Sequence, residues 1–493
     1  MSQERAVARN TAWLMLATLG QKLISFVVFY LIARRVGPEI TGKYFYAVSI
    51  TSIFVILADA GLTPVVIREM AADETRGRGA LLRALRLKWV LIPLAILCSL
   101  VYAKLAQVEP EVFLAVLVAC FVMSADALSL TWYGVLRGKK DLRYEAFGML
   151  ICQLITGIVA VLVTVFSPTV TSLVVALLCG SLWNVLWSYL WTRRLMPPMK
   201  AIKPWPIKSI LLLAWPFGLA GLFVKIYSYL DSLLIRQFQG HEAVGQYAVA
   251  YKITYALQFL PLTFVAALYP SMSGLFARGE TEELKKALAG SLRLMMFTSV
   301  PLAAILSALA PQIILTFYHT PYAGAIAPLT ILPWVLIPIF LDFPVGSLLN
   351  ATHRTALKTM AMGITMVVNA ICNILLVPSL GPTGASISAV ISFTLLFIVG
   401  LWFIRHELPP ARWCLSMLFR GAFVAATVWT AGFFLREQMP LVMSLLFTGS
   451  LATLLLFATK LLQVSDVMRV VSWLSRRPEL PPEESEEEAG THV

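Results

Sequence analysis

Lys22 stands in the middle of one long apolar run, and Lys225 stands in another, 203 positions later. An ionisable side chain at bilayer depth costs about 2.5–3.5 kcal/mol on insertion scales unless water or a partner meets it. Residues of this kind are therefore the first candidates for chemistry. Two ammonium groups on opposite walls of a cleft would clamp a diphosphate by charge-assisted hydrogen bonds. Around Lys225 the residues Ser228, Tyr229, Ser232 and Arg236 recur at helical spacing, a polar stripe suited to water and sugar hydroxyls. Lys252, with Tyr255 and Phe259 on its face, offers a third cation. The competing reading is snorkelling, in which a lipid-facing lysine reaches a headgroup. Lys22 lies about eleven residues, roughly 16 Å, from either end of its run, which is deep for that. For Lys252, one turn inside its run, snorkelling fits better.

Four acids are buried by position: Asp59, Asp126, Asp231 and Asp342. A carboxylate in an apolar bundle exchanges a proton readily or, with partners, holds a sodium ion. Asp59, Asp126 and Asp342 are the candidates for such ion coupling, and a structural salt bridge is the alternative for each. Arg86 and Arg293 occupy matching places at a mouth, either as interface anchors or as recruiters of an anionic headgroup. The six cysteines form no C-x-x-C pair and the five histidines are scattered, so the expectation is no metal site, no cofactor and no enzyme.

The elements that position these residues follow from composition. The chain is 59% hydrophobic and 13% charged, against about 25% charged in soluble proteins. Apolar runs of roughly 20 residues, each long enough to cross about 30 Å of hydrocarbon, recur from Thr11 almost to Leu462. Lipid satisfies no backbone group, so such runs must be helices. The expected fold is an all-α polytopic membrane protein of about 14 spans. These start near Thr11, Tyr44, Leu87, Val112, Ala146 and Val170, near Ile210, Gln246, Leu292, Ala325, Thr359 and Thr383, and near Ser416 and Pro440. Lys and Arg number 27 in the termini and even-numbered connections, Lys88 among them, against six in the odd-numbered ones. The positive-inside rule then puts both termini in the cytoplasm. The net charge of +13 is this topological excess and needs no nucleic-acid partner.

The sequence also repeats itself. GPEITGKYFYA from Gly37 and GHEAVGQYAVA from Gly240 share G-x-E-x-x-G-x-Y-x-x-A. PLAIL from Pro93 is answered by PLAAIL from Pro301, and RRLMPP from Arg193 by RHELPP from Arg405. The offsets drift from 203 to 212, as small loop insertions would make them. Six spans per copy is an even number, so the copies run in parallel about an axis along the membrane normal and enclose a V-shaped cleft. Residues 1–204 form the first six-helix bundle, 205–412 the second, 413–465 an appended pair of spans, and 466–493 an acidic, disordered cytoplasmic tail. In the connectors, Gly37 and Gly42 are expected to flank a short turn, and Tyr44 and Tyr247 to start the next helices at interface depth. The alignment that pairs the connectors also pairs Lys22 with Lys225.

ARRVGPEITGKYFYA followed by ILADAGLTPVVIREMA, from Ile56 to Ala71, resembles the opening helices of bacterial polysaccharide flippases. These are the O-antigen and capsule repeat-unit transporters of the multidrug/oligosaccharidyl-lipid/polysaccharide exporter superfamily. The resemblance implies a transporter that moves a polyprenyl-diphosphate-linked oligosaccharide from the inner to the outer leaflet of the bacterial cytoplasmic membrane by alternating access. It also implies glycan polymerase or other assembly proteins as partners. The alternatives are a lipid II flippase or a multidrug/cation exporter of the same superfamily and, from another class, a membrane-embedded glycosyltransferase or ligase. A cation exporter would want an anionic cleft, which the paired lysines oppose.

Overall fold

The computed structural model describes residues 3–196 and 203–461. The acidic tail and Lys200 lie outside the described residues. The described chain is helical throughout, with no strand among the described residues: α1 (Gln3–Asp59), α2 (Leu62–Ala72), α3 (Glu74–Leu105), α4 (Pro110–Gly138), α5 (Arg143–Phe166) and α6 (Val170–Leu195) lead into α7 (Ile207–Ala256) and α8 (Phe259–Ala277). Then follow α9 (Thr281–Ala308), the short α10 (Ala310–Ile313) and α11 (Ile326–Ile331), α12 (Leu336–Ala351), α13 (Thr355–Phe403), α14 (Ala411–Leu435) and α15 (Leu441–Ala458).

Eleven helical segments among the described residues are long and apolar enough to cross a membrane. Three of them, on α1, on α7 with the start of α8, and on α13, run to 44, 56 and 49 residues, about twice what 30 Å of hydrocarbon requires. Each contains one glycine with non-helical dihedrals: Gly37, Gly240 and Gly381. At Gly37 the chain folds back on itself. The Tyr322 hydroxyl lies 2.9 Å from the Ala33 carbonyl oxygen and 2.8 Å from Thr41 Oγ1, whereas eight residues of straight helix would span about 12 Å. The eleven segments therefore carry fourteen spans.

The connectors differ from the sequence expectation in one respect. Gly37 alone makes the turn, and the helix resumes at Pro38, where a fixed φ and a missing N–H suit a first helical position. Gly37 (φ 79°, ψ 174°) and its repeat mate Gly240 (φ 82°, ψ −176°) share a conformation that is essentially glycine-only. Gly42 and Gly245 lie a turn further on and serve another purpose. A methyl at Gly42 would overlap the His241 carbonyl and one at Gly245 the Pro38 carbonyl, so the two connectors cross backbone to backbone. The contact is reciprocal, since Pro38 and His241 are themselves repeat mates. Tyr247 is also corrected: it is fully buried and donates to Asp231 rather than lying at the interface.

Crossing at the connectors closes the V at that end. One flank is closed further down, where Ala60 and Gly61, between α1 and α2, pack on Ala214 and Gly218 of α7. The break there is held by Lys88, which is 1% exposed and bonds Asp59 at 2.8 Å, the Ala127 carbonyl at 2.9 Å and the Ala58 carbonyl at 3.3 Å. Lys88 is thus a buried strut between α1, α3 and α4, not one of the basic residues near headgroups. Because α3 begins at Glu74, position 88 is about 21 Å along it.

Two outcomes follow. Gly42→Ala and Gly245→Ala should each lower stability by about 1–3 kcal/mol through overpacking, read as a fall in the thermal midpoint of the detergent-solubilised protein; an unchanged midpoint contradicts the crossing. Lys88→Met should cost about 1–3 kcal/mol by leaving the half-buried Asp59 carboxylate with Thr63 as its remaining partner, and Asp59→Leu in the same chain should restore most of it.

Candidate functional site

The deep lysines gather between the halves. Lys22 lies fifteen residues before Gly37 and Lys225 fifteen before Gly240, each about 22 Å from its connector; Lys252 lies about 18 Å past Gly240. All three are therefore at membrane depth. Lys252 reaches across the seam, its Nζ 5.5 Å from the centre of the Phe29 ring on α1. It is also close enough to Lys22 for the two charges to act on each other. Lys22 itself is an exposed side chain on α1. Lys225 is half-buried, with its Nζ 5.5 Å from the Tyr229 ring centre and within electrostatic range of Asp126. None of the three lysines forms a salt bridge among the described residues.

The rest of the predicted stripe divides. Ser228 and Tyr229 are half-buried beside Lys225. Ser232 is 1% exposed and bonds the Asp231 carboxylate on its own helix, so it lines nothing. Arg236 has left the stripe altogether and donates to the carbonyls of Ala106 and Gln107 at the connector end.

The acids have separate settings. Asp59 is taken up by Lys88 and Thr63, and a carboxylate already matched by an ammonium at 2.8 Å has little need of a sodium ion. Asp126 accepts from Ser181 of α6 at 2.7 Å. Asp342, on α12, sits against Gly400 and within range of Lys358, both of α13. Asp342 thus stays within its own half, whereas Asp126 bonds within the first half and also lies in electrostatic range of Lys225 of the second. Arg86 is exposed and Arg293 half-buried, both toward the basic end.

The sequence reading passed over an aromatic ladder beside Lys252. Tyr247, Tyr251 and Tyr255 follow one another on α7, with Tyr251 and Tyr255 stacked at 4.2 Å. Phe45 of the other half closes on Tyr251 at 5.7 Å, and Tyr227 and Phe393 extend the cluster. The signal was present in YAVAYKITY, where tyrosines four apart share a helix face. Apolar ring faces ending in hydroxyls, next to unmatched ammonium groups, suit a ligand that is part polar ring and part anion.

A family model described as polysaccharide biosynthesis protein matches residues 7–276, and a second, MatE, matches residues 216–375. An uncharacterized membrane protein of Methanocaldococcus jannaschii is 28% identical over 265 residues, 51% of this chain and 51% of its own length. A probable low-salt glycan biosynthesis flippase of Haloferax volcanii is 23% identical over 194 residues, 38% of this chain and 41% of its own. The chain thus spans about half or less of these curated relatives. A solved structure of the lipid II flippase MurJ in an inward closed conformation superimposes with a TM-score of 0.73 at 15% identity, over 93% of this chain and 99% of that one, which shows the fold. With the first family model covering more than half its length, the chain belongs to the polysaccharide biosynthesis protein family of multi-pass membrane proteins.

Proposed function

We propose that this protein is a flippase that carries a polyprenyl-diphosphate-linked oligosaccharide across the cytoplasmic membrane, from inner to outer leaflet, by alternating access. The observation that carries this reading is the set of three membrane-depth lysines, Lys22, Lys225 and Lys252, on facing walls and without a carboxylate salt bridge among the described residues. Such charges are unfavourable until an anion enters, and an anion of two linked phosphates is matched best by ammonium groups from both walls. Tyr251 and Tyr255 of α7, which are half-buried, then stack on or hydrogen-bond the adjoining sugars, while the prenyl tail stays in lipid. The charge bias sets the connector end outside, so the crossing of Gly42 and Gly245 makes this an outer-closed state.

Supporting the reading are the family match over residues 7–276 and the naming of a Haloferax relative as a probable glycan biosynthesis flippase. A cationic-drug exporter is disfavoured by the positive seam. In the proposed mechanism nothing is broken or formed in the cargo. The lysines hold the diphosphate while the halves rock, and release follows when the two walls separate at the outer face. The candidates for proton or sodium coupling are Asp126 and Asp342 rather than Asp59, which Lys88 and Thr63 already engage.

The test is flipping of a polyprenyl-diphosphate sugar into reconstituted vesicles. Lys22→Ala and Lys225→Ala should each slow transport by about tenfold or more, with Lys252→Ala smaller, while folding by thermal midpoint stays unchanged. Wild-type rates in both Lys22→Ala and Lys225→Ala would end the clamp reading.

A further inference from the structure

The connector end holds more than the glycine crossing. Arg236 of the second half donates from Nη1 to the Ala106 carbonyl at 2.7 Å and from Nη2 to the Gln107 carbonyl at 3.3 Å. Those carbonyls end α3 of the first half, where unsatisfied backbone oxygens and the helix dipole concentrate negative charge. The guanidinium also lies over the Tyr46 ring, its centre 5.5 Å away. On the other side of the axis the partners are exchanged. Tyr322 of the second half, 1% exposed in the turn before α11, bonds the Ala33 carbonyl and approaches Thr41 of the first half. Tyr318 packs edge-on against Tyr30 at 5.5 Å in the same place. Ala33 and Arg236 are 203 residues apart, so they are repeat mates.

We propose that Arg236 and Tyr322 are two non-equivalent latches that hold the halves together at the outer face, Arg236 by gripping the end of α3 and Tyr322 by gripping the turn at Gly37. The two act on either side of the Gly42–Gly245 crossing, which has no side chain of its own with which to resist separation. Backbone contact there sets how close the halves come. The latches set how long they stay. Neither residue reaches the deep lysines, so both act on the conformation and not on the cargo.

The latches differ in kind. The Arg236 hydrogen bonds are charge-assisted and half-exposed, so water replaces them at little loss when the seam opens. Nearby charges are fixed: Lys43 bonds Glu109 at 3.0 Å and holds its carboxyl below the usual carboxylate range, and His241 of the second half approaches that same carboxylate at 3.8 Å. Tyr322 is dry, and its hydroxyl has nowhere else to bond while the seam is shut. Opening must therefore break a solvated ionic latch and a buried neutral one together.

Hydrogen exchange of the full chain in lipid nanodiscs, without substrate, tests this. In Arg236→Ala, exchange over residues 33–47 and 236–250 should rise about tenfold, while exchange at the opposite end, residues 60–72 and 207–220, falls. That reciprocal change is what a shift between outer-closed and outer-open states produces; simple destabilisation raises exchange everywhere. Arg236→Lys, with one ammonium for two carbonyls, should lie between. Tyr322→Phe, which removes one hydroxyl and keeps the ring, should give the same reciprocal pattern at smaller amplitude and serves where Arg236→Ala fails to fold. Unchanged exchange in the variants, or a rise at both ends, overturns the proposal. Because no cargo is present, this outcome is independent of whether the carried molecule is a glycolipid.

Discussion

Two helices in a bilayer gain nothing by hiding apolar surface from each other, because lipid is as apolar as they are. They associate where their backbones approach closely, and here that happens at Gly42 and Gly245. The rest of the architecture depends on this contact. It sits on the axis relating the halves and fixes the connector end of the V. It is also far enough from the deep lysines, about 20 Å by helical rise, that the space around them stays open. A larger residue in either connector would force the halves apart at the point where Arg236 with α3 and Tyr322 with α1 need them within hydrogen-bond reach.

Electrostatics divides the buried charges into two groups. Lys88 has an ion pair and two carbonyls, and every donor is spent on the protein. A fully engaged charge of this kind braces an irregular break in a span, where Ala60 takes a left-handed φ of 49° and freed backbone groups would otherwise lack partners. Lys22, Lys225 and Lys252 are the opposite case: Lys225 and Lys252 meet the ring faces of Tyr229 and Phe29, and none of the three forms a salt bridge among the described residues. Both groups look alike in the sequence, as single lysines in apolar surroundings. Only the presence or absence of a carboxylate partner separates a structural charge from one available to a ligand.

That distinction explains what the sequence disclosed and what it withheld. Span number and order were legible, because run length against bilayer thickness is a one-dimensional property. The duplication was legible through Gly37 and Gly240, whose shared backbone conformation leaves a residue signature. The third hairpin was signalled too, since Gly381-Pro382 repeats the dipeptide of Gly37-Pro38, although nothing in hydropathy marks it. Gly42 was misread as part of a turn because its reason is a contact 203 residues away. Lys88 was misplaced because hydropathy marks where a span becomes apolar, while α3 begins at Glu74, well before that. Ser232 was assigned to a lining face because periodicity tells which residues share a face, not what that face meets.

The two halves share the glycine conformation at Gly37 and Gly240 but differ in side chains at several matched positions. The position matching Lys252 in the first half is Ser49, buried and bonded to the Phe45 carbonyl, so one wall carries a cation that the other lacks. Asp59 and Lys88 brace only the first half; their counterparts by offset are Leu262 and Met295. Phe45 of the first half closes on the tyrosine ladder of α7. A symmetric cargo would be served by identical walls. The cargo proposed above, with an anionic centre, a polar chain on one side and a long apolar tail on the other, is not symmetric, and side chains that have diverged across the axis would place its ends in different surroundings.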